Sequence, residues 1–499
     1  MSLNIVAFRD ITFSHATAPT NLFNHLSVYF SKGFTGVVGP NGAGKTSLLQ
    51  LACGLLTPDD GAIECSSEAV YCEQRTDEKP GDLVEFLNET TSSAFALRAK
   101  LGIEWDFSDR WQTLSHGERK RAQIGCVLWR DPPVLAIDEP TNHIDHATRD
   151  ILIATLRGYR GVGLIVSHDR DLLDQLCHQC LWLEPPQARL FQGGYTQANQ
   201  QRAALSGEAQ RTRHKAVANR DKVRRETIKR REQIEKSHKS RSKSGISNKD
   251  HDAKEKINRA IVTDSGSGKS LRQLGGHLAR AEADVADTRV NREFEVGIWL
   301  PGSISKRDTL FTLAAGQIQL GGDRVLSHPE ISMQPQQRVA LTGNNGLGKS
   351  TLISKILRQV NVPQAHLTVM PQELTTSQST TILHEVRQLP KDELGHLMNI
   401  VSRLGSRPAR LLESELPSPG EIRKLLLALG MSRAPHFLIL DEPTNHLDLP
   451  SVEALEDALS DCPCGMLLVS HDQRFLTRLA DVSWHLEEDK MRNVKLTVK

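Results

Sequence analysis

Two lysines lie in almost the same string of neighbours in the two halves of the chain. Lys45 stands near the end of Gly39-Pro40-Asn41-Gly42-Ala43-Gly44-Lys45-Thr46, and Lys349 near the end of Gly343-Asn344-Asn345-Gly346-Leu347-Gly348-Lys349-Ser350. Glycines at this spacing let backbone N–H groups close around a phosphate, and the start of the following helix adds partial positive charge. The lysine is placed to reach the outer phosphates, and the hydroxyl after it to hold magnesium. One phosphate cradle is therefore expected from Gly39, Asn41, Gly42, Gly44, Lys45, Thr46 and Ser47. The other is expected from Gly343, Asn345, Gly346, Gly348, Lys349, Ser350 and Thr351.

Each string has an acidic companion downstream. Val134-Leu135-Ala136-Ile137 and Phe437-Leu438-Ile439-Leu440 read as buried strands, and each ends in Asp-Glu. Asp138 and Asp441 are placed to share a magnesium ion with Thr46 and Ser350. Glu139 and Glu442 are placed to orient or deprotonate an attacking water. Phosphoryl transfer depends on positioning and charge neutralisation more than on covalent chemistry, so this pairing is sufficient equipment. The interval from Lys45 to Asp138 is 93 residues and that from Lys349 to Asp441 is 92. Ser115 to Glu139 and Ser418 to Glu442 are both 24. A spacing kept twice marks one domain used twice, with nucleotide at the centre of each copy.

Strands alternating with helical stretches around these strings predict two α/β nucleotide-binding domains, over residues 1–196 and 296–499. The segment 197–295 has almost no strand signal and predicts two long helices of roughly 35 residues, each about 50 Å long. A mobile turn is expected over Ser237–Asn248. Leu271, Leu274, Leu278, Ala281 and Val285 recur at heptad spacing, which suits a returning helix. Gly266-Ser267-Gly268-Lys269-Ser270 ends like a phosphate loop, but Thr263 holds the place of its leading glycine and no strand precedes it; it is expected to be a turn.

The net charge of +2 conceals an asymmetry. Arg211–Arg259 holds 18 Lys and Arg against 7 Asp and Glu, a local excess of +11. That excess predicts a phosphate-rich partner, most naturally nucleic acid. No aromatic residue lies between Tyr195 and Phe294, so contact through phosphates is expected rather than base stacking. No apolar run is long enough to span a membrane. Met1–Asp10 lacks a signal-peptide layout, and eight cysteines in 499 residues read as reduced thiols of a cytoplasmic protein.

With these strings in view, the chain resembles the ABC-F class of ATP-binding cassette (ABC) proteins. Leu114-Ser115-His116-Gly117-Glu118 is similar to the family's signature loop. Both Asp-Glu pairs continue as Pro-Thr-Asn-His-(Ile/Leu)-Asp, at Pro140–Asp145 and Pro443–Asp448. The resemblance implies that Gln74 and Gln372 are Q-loop residues and that His168 and His471 are switch histidines acting in catalysis. It also implies a head-to-tail sandwich of two cassettes within a monomer, holding two ATP molecules with Mg2+. The first site would join the Lys45 loop to Ser418, Gly420 and Glu421 of the opposite signature, and the second would join the Lys349 loop to Ser115, Gly117 and Glu118.

Three features depart from the family pattern. Pro419 replaces a glycine in the second signature, removing an N–H and predicting a weaker first site. His15 takes the place of the aromatic that stacks on adenine, and Gln319 or Leu320 takes it in the second copy. Gln74 to Ser115 spans 41 residues and Gln372 to Ser418 spans 46, leaving no room for the extra arm of several ABC-F translation factors.

The function implied by the resemblance is an ATPase that binds the ribosome and brings its linker near tRNA or rRNA, either as a translation factor or in antibiotic resistance. Lys239, Arg241 and Lys243 are the expected RNA contacts. The paired ATPase of a small-molecule importer also holds two cassettes in about this length, but it gives no reason for a +11 linker. A DNA-repair ATPase with protruding helices would carry zinc-binding cysteine sets or far longer coiled coils.

Overall fold

Val134–Asp138 and Phe437–Asp441 are buried at every residue, as their unbroken apolar runs require of strands covered on both faces. The computed structural model describes residues 5–15, 21–65, 68–142, 144–185, 187–240, 264–287, 303–322, 324–404, 406, 411, 417–445, 447–489 and 493–498.

In the first cassette six strands form one sheet in the order Ala69–Cys72, Val134–Asp138, Val162–Val166, Gly33–Val38, Cys177–Glu184 and Gln187–Gln192. All neighbours are parallel except the last pair. The phosphate loop leaves the end of Gly33–Val38 and Asp138 ends the strand two places away. Both therefore open at the carboxyl edge of the parallel strands, where α/β folds bind ligands. A separate antiparallel sheet joins Phe23–Phe30, Val6–Phe13 and Asp60–Cys65.

The second cassette repeats the parallel core as Leu367–Met370, Phe437–Asp441, Gly465–Val469, Arg338–Thr342 and Val482–Glu488. Here three further strands, Val494–Val498, Arg324–His328 and Gly316–Gly321, extend the same sheet to eight strands. The fold is thus two α/β cassettes in tandem, as the doubled strings predict.

The chain divides into one unit of Met1–Ala198 with Phe294–Lys499 and a second of Asn199–Glu293. The helix Tyr195–Ser240 runs for 46 residues, about 70 Å at 1.5 Å per residue, and Asp264–Asp287 forms a second helix. Within 273–287, Leu274, Leu278, Ala281 and Val285 are the sheltered residues, at heptad positions read from the sequence; the side chain of Leu271 lies outside the described residues.

The first helix is longer than expected. Ser237–Ser240 continue it instead of turning, and 241–248 lie outside the described residues, Arg241 and Lys243 among them. Gly266–Ser270 also differs from expectation. It is helical, within Asp264–Asp287. Each interior glycine weakens a helix by about 1 kcal/mol relative to alanine, too little to break one whose next turns bury an apolar stripe. No helix of the described residues is long and apolar enough to cross a membrane.

Candidate nucleotide sites

Gly44 and Gly348 cap the helices Lys45–Ala52 and Lys349–Leu357 with φ of 89° and 88°. A side chain is strained at both by that left-handed backbone. It would also meet Leu22 at 2.7 Å in the first copy and Leu320 at 2.4 Å in the second. The lysine that follows folds back onto its own loop. Lys45 Nζ donates to Gly39 O at 2.8 Å and Pro40 O at 3.1 Å. Lys349 Nζ donates to Gly343 O at 2.6 Å and Asn344 O at 3.2 Å. Burial lowers the pKa of both ammonium groups, against the pull of Glu139, Asp448 and Asp138 on the first and of Glu442, Asp441 and Asp145 on the second.

The hydroxyl–carboxylate pairs stand beside these lysines. Thr46 Oγ1 donates to Asp138 Oδ2 at 2.7 Å, and Tyr71 OH donates to the same oxygen at 3.1 Å. Ser350 Oγ donates to Asp441 Oδ2 at 3.3 Å. Burial raises the Asp441 carboxyl despite Ser350, Lys349 and Arg423. A hydroxyl and a carboxylate at a loop built for phosphates form the hard oxygen set that suits Mg2+.

Glu139 and Glu442 have φ of 45° and 50°, a left-handed backbone uncommon outside glycine. The conformation is pinned where each N–H donates across the sheet, to Val166 O at 2.9 Å and to Val469 O at 2.8 Å. It turns the carboxyl towards His168 in the first copy and His471 in the second. Oε2 of Glu139 accepts the His168 N–H, and Oε2 of Glu442 accepts the His471 N–H, each at 3.2 Å. Oε1 lies 3.1 Å from His168 Nε2 in the first copy and 3.4 Å from His471 Nε2 in the second. Neither contact is aligned as a hydrogen bond, and among the described residues none reaches either Oε1. Each is a buried acceptor with a lone pair to offer, as a water-directing group requires.

Burial first, then the neighbouring aspartate, pushes Glu139 up to about 8. Burial does the same to Glu442. His471 is lowered to about 4 by burial and by Lys349, so at neutral pH it faces Glu442 as a neutral ring. Its Nε2 is also 3.1 Å from Asn345 Oδ1 in the phosphate loop.

Ser115 and Ser418 open the helices His116–Trp129 and Pro419–Ser432 with the same capping box. Glu118 N donates to Ser115 Oγ and Glu421 N to Ser418 Oγ, both at 3.3 Å. Pro419 occupies the first turn, where proline's missing N–H costs the helix nothing, so the second signature opens as the first does. Gln74 and Gln372 are exposed just beyond the strands Ala69–Cys72 and Leu367–Met370. His15 Nε2 is 3.0 Å from Ser47 Oγ, which sets its ring beside the first phosphate loop.

Contacts between the cassettes bring the Pro-Thr-Asn-His-(Ile/Leu)-Asp strings to the opposite phosphate loops. Asp448 Oδ2 accepts the backbone N–H of Asn41 at 2.7 Å, while its Oδ1 caps the helix Leu449–Ser460 through Ser451 N at 3.0 Å. Leu449, next along the chain, packs into the core of the first cassette. In the other direction, Asp145 is among the carboxylates that favour the charged form of Lys349.

Among the buried cations that were not singled out from the sequence are Lys120 and Arg423. Lys120 is fully buried and donates to Glu73 O at 2.5 Å and to Gln123 Oε1 at 3.0 Å. Arg423 donates to Glu442 O at 2.9 Å, to Asn445 O at 3.2 Å and to Gln372 O. Both stand five residues after a signature serine, and both tie the signature helix to the Q-loop backbone. A basic residue at one offset in both copies was the available signal.

Residues 23–142 and 326–445 each match the family described as ABC transporter. The chain is 30% identical over 483 residues to the ribosome protection protein VmlR of Bacillus subtilis (strain 168), covering 93% of this chain and 84% of that one. It is 27% identical over 491 residues to the erythromycin resistance ATP-binding protein MsrA of Staphylococcus epidermidis, covering 94% and 95%. It is 25% identical over 546 residues to ABC transporter F family member 4 of Arabidopsis thaliana, covering 94% and 72%. Among solved structures, archaeal ribosome recycling factor aABCE1, in complex with ribosomal stalk protein aP1, shares the fold with a TM-score of 0.61 at 16% identity, over 98% of this chain and 89% of that one. Paired phosphate loops, each with a buried Asp-Glu, and relatives matched along nearly the whole chain lead to one conclusion: this protein is an ATPase of the ABC-F family of ATP-binding cassette proteins.

Proposed function

We propose that this ATPase acts on the ribosome, with ATP closing the two cassettes on each other and hydrolysis letting them part. The observation that carries the reading is a 46-residue helix that holds much of the basic segment Arg211–Arg259, joined to two ATP-binding halves. Relatives named for ribosome protection and for erythromycin resistance support it. Of the two finer roles, protection against a ribosome-binding antibiotic is favoured over a translation factor. The spans from Gln74 to Ser115 and from Gln372 to Ser418 leave no room for an added arm.

In the first site Lys45 binds the outer phosphates, Thr46 and Asp138 hold Mg2+, Glu139 takes a proton from the attacking water, and His168 and Gln74 orient it. Ser418, Gly420 and Glu421 meet the γ-phosphate from the other cassette. In the second site Lys349, Ser350, Asp441, Glu442, His471 and Gln372 take those roles, opposite Ser115, Gly117 and Glu118. The metal supplies charge neutralisation at the phosphates when bound.

The linker part of the reading is tested by changing Lys239, Arg241 and Lys243 together to Glu and pelleting the ATP-bound chain with ribosomes across a salt series. If these residues neutralise RNA phosphates, binding weakens by roughly tens-fold and each lost contact lowers the salt slope by a little under one unit. Unchanged affinity and slope would leave the segment a spacer.

A further inference from the structure

The two switch loops carry unlike residues at matching positions. Two places after His168 stands Arg170, whereas two places after His471 stands Gln473. One place further on, Asp171 corresponds to Arg474. The charges are complementary, and they meet.

Arg170 lies at the start of the helix Arg170–Leu176 and reaches into the second cassette. Its Nη1 donates to Glu456 Oε2 at 3.1 Å and its Nη2 to Glu456 Oε1 at 2.5 Å. The same Nη2 donates to Asp472 Oδ2 at 2.8 Å. Asp472 directly follows His471, and its other oxygen caps the helix Gln473–Leu479 through Phe475 N at 3.0 Å. Arg474 reaches the opposite way, to Asp171 at 2.6 Å and Asp174 at 2.7 Å.

The side chains of Arg170 and Glu456 are 7% and 3% exposed. A forked, buried ion pair does not stretch: Arg478 also donates to Glu456 Oε2 at 3.2 Å, but parting the pair would strand the Arg170 guanidinium in a poorly polarisable interior. The segment that follows His168 and the segment that follows His471 are therefore held as one body.

We propose that Arg170 is a positioning residue that couples the two ATP sites, by tying the switch loop of the first cassette to the switch loop of the second. A displacement of His471 on hydrolysis at its own site pulls Asp472, and through Arg170 shifts the loop that carries His168. Gln473 cannot return that tie; Arg474 makes a second crossing, to Asp171 and Asp174, further along the chain from the two histidines.

The proposal rests on the assignment of Glu139 and Glu442 as water-directing groups, but not on the ribosome, because its test uses the free protein. Steady-state turnover is measured for the intact chain, for Glu139→Gln and for Glu442→Gln, then for the same set carrying Arg170→Ala. With coupled sites, the turnovers of the two single Gln variants add up to far less than the parent rate, by roughly fivefold or more. With Arg170→Ala they add up to the rate of Arg170→Ala itself.

Arg170→Lys serves if the alanine variant does not fold. It keeps a cation for Glu456 but lacks the fork that reaches Asp472, so it too restores additivity. Sums that stay far below the parent in the Arg170 variants, or that already equal it in the intact chain, overturn the proposal. Near-normal turnover in a Glu139→Gln/Glu442→Gln double variant would instead show that the site assignment had failed.

Discussion

Asp448 of the second cassette holds the backbone N–H of Asn41, inside the phosphate loop of the first, at 2.7 Å. A single carboxylate thus caps its own helix with one oxygen and closes on the opposite nucleotide loop with the other. The start of the helix Leu449–Ser460 and the shape of the first phosphate loop are set together.

Asp448→Ser separates the two tasks. Serine is a good helix cap, so the helix should keep its start, but its shorter side chain loses the reach to Asn41. A hydrogen bond to a charged group contributes about 1.5–3 kcal/mol, so hydrolysis at the first site should fall roughly tenfold or more. The measurement is ATPase activity in a Glu442→Gln background, where the first site alone turns over, beside a thermal melt. An unchanged rate would show that the contact does not serve the site.

Pro419 leaves the signature helix undistorted, but it offers no N–H where His116 offers one. The site built on Lys45, which faces Ser418 in the proposed arrangement, lacks one donor to the γ-phosphate. Glu442→Gln should therefore leave less residual turnover than Glu139→Gln, by roughly tenfold if the missing donor keeps its usual worth. Equal residual rates, or the reverse order, would contradict this.

The buried carboxyls set a pH dependence. Burial raises Glu139 and Glu442 to about 8, so between the ordinary carboxylate range and about 8 the folded nucleotide-free protein binds more protons than the unfolded chain. Stability present at low pH is therefore lost as pH rises through that window. The melting temperature of the intact protein should fall more steeply from pH 6 to pH 8.5 than that of the Glu139→Gln/Glu442→Gln variant, which has no carboxyl to ionise. Parallel curves would mean that these groups do not titrate there.

Much of the site was legible because its chemistry lies in contiguous strings. A phosphate loop needs its glycines, lysine and hydroxyl in one turn, and Asp138-Glu139 must end a strand, so local spacing was enough. What escaped is contact between distant residues. The left-handed backbone of Glu139 depends on Val166 across the sheet, and Arg170 meets Glu456 at a separation of 286 positions. The long helix was legible from composition, but its end was not. Serines and glycines that read as turns stay helical when the neighbouring turns are packed, as Gly266 and Gly268 show.

In the proposed function, ATP-closed cassettes bind the ribosome. The most direct measurement is co-sedimentation of Glu139→Gln/Glu442→Gln with 70S ribosomes in ATP, beside the same variant in ADP and beside a membrane fraction. Loss of the two carboxylates should slow turnover by about two orders of magnitude or more while ATP still binds, so the closed form accumulates. The variant should pellet with ribosomes in ATP, be released in ADP, and not partition to membranes. Equal pelleting in ATP and ADP, or recovery with membranes instead of ribosomes, would contradict the proposed function.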